Sequence, residues 1–216
     1  MSHNTKLVMF DLDGTLVDSS EDVVVCFNFA LEEEGLSPAD PMAIKSTIGY
    51  SLKGAFSEYG DPNRLYDHFI KKARKTMGNN TILLPGAFEA LSQIHDMGLK
   101  IAIATTKIRP HALRILKKLG IDRFIGELSC ADDVKEVKPD PEALTRLLDI
   151  YGVDSRQAIM VGDTINDVIA ARNAGMRVAA LTNGFDPVDK IKGENPDWIL
   201  DDIRKVVDLI KDERKA

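Results

Sequence analysis

The segment Asp11-Leu12-Asp13-Gly14-Thr15 sets two carboxylates two residues apart, directly behind the apolar run Leu7-Val8-Met9-Phe10. In extended backbone, residues i and i+2 share a face, so Asp11 and Asp13 project to one side and Gly14 lets the chain turn close to a ligand. One carboxylate so placed can attack while the other moves a proton. Asp-Gly is also ordinary turn chemistry, and the pentapeptide alone describes a strand ending in a polar turn equally well. Segments further along the chain decide the case. Ile101-Ala102-Ile103-Ala104 leads into two hydroxyls, Thr105 and Thr106, and a cation, Lys107, a set suited to holding phosphoryl oxygens. Lys138 stands before Pro139-Asp140-Pro141; the prolines are accounted for by a helix start, the lysine is not. Val161-Gly162-Asp163-Thr164-Ile165-Asn166-Asp167 opens a helix with carboxylates four apart, able to face one point. Hard oxygen ligands at that spacing suit Mg²⁺, while acids in a first helical turn are also favoured by the macrodipole with no metal.

These residues need elements that carry them to one place. Lys6 to Asp11, Lys100 to Thr105, Ala158 to Gly162 and Arg177 to Thr182 read as fully buried strands. Ala87 to Met97, Pro110 to Leu119, Pro141 to Tyr151 and Ile165 to Asn173 have apolar residues at helical spacing, and Gly98, Gly120, Gly152 and Gly175 mark helix ends. Strand and helix in alternation predict an α/β fold, a Rossmann-like doubly wound parallel sheet. Chemistry in such sheets sits at the carboxyl ends of the strands, where all the segments above fall.

From about Asp18 to Leu84 the alternation breaks. Val23 to Glu34, Ile44, Leu52 to Tyr59 and Leu65 to Thr76 read as helices, punctuated by Pro38, Pro41 and Pro62. The expected organisation is a core domain of residues 1–17 and 85–216 with an inserted α-helical cap domain over 18–84. Asp18-Ser19 leads out of the sheet and Leu84-Pro85-Gly86 leads back.

A chain of 216 residues, 44% hydrophobic, can bury a sizeable core, and its net charge of −6 disfavours nucleic acid or an anionic membrane as partner. Cys26 and Cys130, two in all, are too few for a disulfide framework and are expected as reduced core residues. With no signal peptide and no long apolar run, a cytoplasmic protein is expected. Lys71-Lys72-Ala73-Arg74-Lys75 reads as a solvated helix face, and Lys211 to Ala216 as a frayed tail. His3, His68, His95 and His111 cluster with no motif and are expected on the surface or a helix face, and Trp198 in packing.

Taken together, the motifs resemble those of the haloacid dehalogenase superfamily of phosphotransferases. Asp11 to Ser19 is similar to its first motif, Thr105 to its second, Lys138 to its third and Gly162 to Asp167 to its fourth, in the expected order. A helical cap inserted after the first strand is what its C1 subfamily carries. Thr105-Thr106-Lys107, Lys138-Pro139-Asp140-Pro141 and Gly49-Tyr50-Ser51-Leu52 most resemble phosphoglycolate phosphatases and related pyrophosphatases, which usually have Asn where this chain has Thr106.

The resemblance implies Asp11 as nucleophile, forming an aspartyl-phosphate, and Asp13 as acid and then base. It implies Thr105 on a phosphoryl oxygen and Lys138 orienting Asp11. Mg²⁺ would be held by Asp11, the Asp13 backbone carbonyl and Asp163, with Asp167 ligating or orienting a water. Thr106, Lys107, Gly49, Ser51 and Leu52 are the implied substrate-binding residues, and the implied partner is a small phosphorylated metabolite. An inorganic pyrophosphatase, a β-phosphoglucomutase-like phosphotransferase and a non-catalytic phosphate-binding protein are the alternatives. The acid at Asp13, with Asp163 and Asp167, argues against a metal-free dehalogenase, and Asp13 also disfavours a phosphonate hydrolase. The mutase fits less well because Leu52 sits where that family has an arginine, and a non-catalytic relative is expected to have lost an acid.

Overall fold

In the computed structural model, which describes residues 4–215, six parallel strands form the centre of the molecule. Four of them are β1 (Leu7–Phe10), β4 (Lys100–Ala104), β6 (Ala158–Gly162) and β7 (Arg177–Leu181), close to the runs expected from sequence. Glu127–Ser129 (β5) and Trp198–Leu200 (β8) are the edge strands, only three residues each, too short for periodicity to declare them. The order β5-β4-β1-β6-β7-β8 places β1 at the switch point, since the chain first builds outward through β4 and β5, then returns to the other side for β6, β7 and β8. A crevice opens at the strand ends of such a switch point.

Alternation along β1 divides the core in two. Val8 and Phe10 face the layer containing α5 (Ala87–Asp96), α6 (Arg109–Leu119) and α10 (Lys205–Glu213). Leu7 and Met9 face α7 (Glu142–Tyr151), α8 (Ile165–Asn173) and α9 (Val188–Gly193). Period-2 geometry requires this when helices cover both faces of a sheet. Lys211 to Glu213, expected in a frayed tail, continue α10, where Val206, Val207 and Ile210 are buried; His3 and Ala216 lie outside the described residues.

Between β1 and α5 the chain forms four helices, α1 (Ser20–Glu33), α2 (Pro41–Lys45), α3 (Leu52–Phe56) and α4 (Pro62–Thr76). An aromatic group joins α1, α3 and α4: Phe27 stacks on Phe56 at 4.2 Å between ring centroids, and Tyr59 and Phe69 meet these rings edge-on. Asp40 and Asp61 cap α2 and α4 before a proline at the first helical position. The strands leading in and out, β2 (Val17–Asp18) and β3 (Ile82–Leu83), pair antiparallel. Beside them buried Asp22 accepts hydrogen bonds from Gly78 N, Asn80 N and Thr81 Oγ1 at 2.7–3.1 Å, fastening the start of α1 to the returning chain.

Candidate active site

Asp11 extends β1 by one residue, its N–H donating to Val161 O at 2.9 Å, and the chain then folds over, with Gly14 N donating to Val17 O at 2.8 Å. The turn has a specific need for glycine. Gly14 has φ +86°, and a Cβ there would lie 2.2 Å from Asp163 Oδ2. Gly184, from the loop after β7, closes on the same carboxylate from another side, where a Cβ would lie 2.1 Å from Oδ2. Asp163 therefore sits in a cradle of bare backbone. Thr15 Oγ1 and Phe185 N donate to its two oxygens, each at 2.8 Å.

Lys138, on the loop before α7, reaches across 127 residues of chain into this cluster. Its Nζ donates to Asp11 Oδ1 at 2.7 Å and to Asp167 Oδ1 at 2.6 Å. The other Asp167 oxygen accepts from Thr164 N at 3.0 Å and Thr164 Oγ1 at 2.8 Å, closing a capping box on α8. Asp167 thus does both jobs the sequence left open, capping a helix and facing the cluster. Thr105 directly follows β4, buried, its hydroxyl accepting from Lys107 N at 3.1 Å.

Asp11, Asp163 and Asp167 bring carboxylate oxygens within 4.8 Å of one another. If all three were ionised, Lys138 would leave two of their negative charges uncompensated in a buried space. Burial, with Asp167 and Asp13 adding to it against the pull of Lys138, pushes the Asp11 pKa from 3.8 up to about 7. Burial first, then Asp11 and Asp167, likewise hold Asp163 well above the usual carboxylate range. Burial opposes the charge on Lys138, but Asp11 and Asp167 outweigh it and keep the ammonium protonated. Hard oxygen donors short of two positive charges fit a divalent cation such as Mg²⁺.

Asp13 points elsewhere. Its carboxylate lies 3.2 Å from Lys107 Nζ, accepts a hydrogen bond from Ser19 Oγ, and forms part of the wall of a pocket of about 90 Å³ between the sheet and helices α1, α3 and α4. Thr106, Lys107, Gly49 and Leu52, expected at the substrate, line the same pocket. Ser51 does not. Its side chain accepts from Gly54 N at 3.3 Å and caps α3, where it is exposed to solvent.

The loop around Gly49 is fastened to the core. Asn166 Nδ2 donates to Gly49 O at 3.0 Å, and Tyr50 OH donates to Asp186, which also accepts from Ile165 N at 2.8 Å. A Cβ on Gly49, at φ +89°, would lie 2.7 Å from Thr164 Cγ2. Sequence reasoning did not find Asp186, an isolated acid beyond β7 with no spacing to mark it. Ser19 and Thr15 lay inside the opening motif, where their hydroxyl chemistry was the available signal. His111, expected on a surface or helix face, is instead 2% exposed and lines the pocket, because the first turn of α6 faces α4 across it. His68 does lie on a helix face, bonded to Glu34 at 2.9 Å, and Trp198 packs beneath the Arg177 guanidinium.

A switch-point sheet whose strand ends gather three buried carboxylates around a buried lysine is the arrangement of an α/β enzyme. The chain belongs to the haloacid dehalogenase-like hydrolase family, matching it over residues 8–181. It is 34% identical over 206 residues to a phosphoglycolate phosphatase of Agrobacterium fabrum, covering 91% of this chain and 88% of that one. It is 30% identical to the pyrophosphatase PpaX of Halalkalibacterium halodurans, over 94% of this chain and 95% of that one. Among solved structures, a haloacid dehalogenase-like hydrolase from Bacteroides fragilis superposes with a TM-score of 0.89 at 29% identity, covering 94% and 99% of the two chains. Among the described residues no helix is long and apolar enough to cross a membrane.

Proposed function

We propose that the protein is a Mg²⁺-dependent phosphatase that hydrolyses a small phosphate monoester through an aspartyl-phosphate on Asp11. The observation that carries this reading is the division of labour between two carboxylates two residues apart. Asp11 lies in the buried cluster with Lys138 on its Oδ1, and Asp13 lines the adjoining pocket beside Lys107. A phosphoryl group between them meets the nucleophile on one side and has its leaving oxygen toward the acid.

Lys138 orients the Asp11 carboxylate, leaving its second oxygen for attack at phosphorus. As the P–O bond breaks, Asp13 gives a proton to the leaving alkoxide, and then takes one from the water that hydrolyses the acyl phosphate and frees Asp11. Acid–base help of this kind is worth about 10²–10⁴-fold. Thr105 holds a phosphoryl oxygen at the end of β4. Asp11, the Asp13 backbone carbonyl and Asp163 would hold Mg²⁺, while Asp167, which shares the Lys138 ammonium with Asp11, positions that lysine. The ion would supply positive charge against which the phosphoryl oxygens lose their repulsion for a carboxylate.

Residues 18–84 act in this reading as a cap whose closure over the pocket excludes water. The pocket favours a leaving group of a few heavy atoms, which supports phosphoglycolate first and pyrophosphate second, following the two named relatives, over a nucleotide or a bisphosphorylated sugar. The test is a panel of phosphate monoesters, pyrophosphate and sugar phosphates with and without Mg²⁺. Metal-dependent release of phosphate from small monoesters is expected; full activity in excess chelator would overturn the reading.

A further inference from the structure

The pocket beside Asp13 is walled by apolar side chains, among them Val23, Leu52, Phe69 and Met77, and its polar side chains, the half-buried Thr106 and Tyr66 apart, are engaged with one exception. Asp13 is held by Ser19 and Lys107, Thr47 Oγ1 donates to Ile44 O at 2.7 Å, and Tyr50 OH donates to Asp186. His111 is the exception. Its ring stands in the wall at 2% exposure, and its Nε2 has no hydrogen-bond partner among the described residues. A leucine would fill that wall without burying an unsatisfied polar atom, so packing alone does not account for an imidazole there.

We propose that His111 is a specificity residue for the hydrolysis proposed above, on which this inference rests, and that it hydrogen-bonds the polar end of a short leaving group whose body lies against the apolar walls. Burial first, then the charges of Lys107, Arg114 and Arg74, push its pKa down to about 4, so the ring is neutral and offers one donor and one acceptor. Such a ring serves a terminal oxygen of either kind, carboxylate or hydroxyl. It gives nothing to a methyl group. A site built to bond a substrate oxygen discriminates strongly against the analogue lacking it, because its own polar atom is then left buried and unpaired.

The experiment compares 2-phosphoglycolate, 2-hydroxyethyl phosphate and ethyl phosphate, all with Mg²⁺, in the native chain and in His111→Leu and His111→Gln. In the native enzyme kcat/KM for at least one oxygen-ended ester should exceed that for ethyl phosphate tenfold or more. The preferred ester, carboxylate or hydroxyl, identifies the terminus. His111→Leu should bring that ratio within twofold, chiefly by lowering the oxygen-ended rate, and His111→Gln should keep part of it. An equal fall for all three esters in His111→Leu, or an unchanged ratio, would show a structural role and overturn the proposal.

Failure of the native enzyme on every ester would instead remove the phosphatase reading, and this inference with it. Should the variants not fold, the imidazole resonances of His111 in the native protein decide: glycolate or ethane-1,2-diol should shift them and ethanol should not. No shift with any of the three overturns the proposal.

Discussion

Replacing Asp11 by Asn removes a charge that the folded protein holds at a cost, and the cost can be worked out. The Asp11 carboxyl has a pKa of about 7 in the folded, metal-free chain against 3.8 ordinarily. The folded pKa is the higher one, so folding favours the protonated form: the stabilising effect is complete below about pH 4 and is lost as pH rises through 7. Between pH 5 and pH 7 the unfolded chain has this group ionised while the folded chain still holds its proton, roughly two units at 1.36 kcal/mol each. Asn is neutral in both states and has no such slope. The stability of Asp11→Asn relative to native, in EDTA, should therefore grow by about 3 kcal/mol between pH 5 and pH 8. Asp163, which Asp11 helps to hold above the usual carboxylate range, is relieved in the variant and adds to the change in the same direction, while groups outside the cluster cancel in the difference. For a chain of this size that is a change of roughly 6–12 °C in the difference of melting temperatures. The Asn oxygen can still accept from Lys138 but without the carboxylate's charge, and this weakening offsets part of the gain, so the slope is the readout and not the value at one pH. Thermal melts at pH 5, 6, 7 and 8 measure it. A difference that does not vary with pH would refute the burial argument for Asp11. The same variant should lose roughly 10³-fold or more in turnover of any phosphate ester, and substantial steady-state activity would refute covalent attack by this residue.

Mg²⁺ at 100 times its dissociation constant should stabilise the native chain by about 2.7 kcal/mol, with a rise in melting temperature that Asp163→Asn abolishes and Asp167→Asn only weakens. Equal effects of the two substitutions would make Asp167 a direct ligand. Asp13→Asn should slow breakdown of the phosphoenzyme more than its formation when the leaving group is nitrophenolate, which needs little protonation; rapid-quench trapping compares the two half-reactions, and equal losses would remove the dual role. Leu52→Arg adds a second cation to a pocket wall that already contains Lys107, and should lower kcat/KM for the preferred small ester by tenfold or more while an aryl phosphate falls less. Equal losses on both substrates would show that this wall does not select the leaving group.

The sheet and the chemical motifs were legible because each is local in the chain. Buried parallel strands need nearly unbroken apolar runs, so Leu7–Phe10, Lys100–Ala104, Ala158–Gly162 and Arg177–Leu181 could be read one residue after another. The helices before β3 were legible from apolar spacing and proline punctuation. Asp11, Asp13, Lys138, Asp163 and Asp167 were legible as well, because each lies within a few residues of a strand's end or a helix's start. Strands β5 and β8 were less legible, since three residues at a sheet edge owe their conformation to the neighbour they pair with.

Only the tertiary structure decided which polar groups meet. Nothing near Asp186 in the chain distinguishes it, yet it binds Tyr50, 136 residues away, and the first N–H of α8. Ser51 has the composition of a ligand-binding hydroxyl and becomes a helix cap, because α3 begins immediately after it. His111 has the spacing of a helix-face residue and becomes part of a pocket wall, because α4 packs opposite that turn. Even within the legible motifs, the high pKa of Asp11 follows first from its burial and then from the meeting of two segments, the end of β1 and the start of α8, that brings three carboxylates within 4.8 Å of one another. Backbone conformation follows the local order of residue types, whereas burial, charge balance and the partner of a side chain are set by residues far away in the chain.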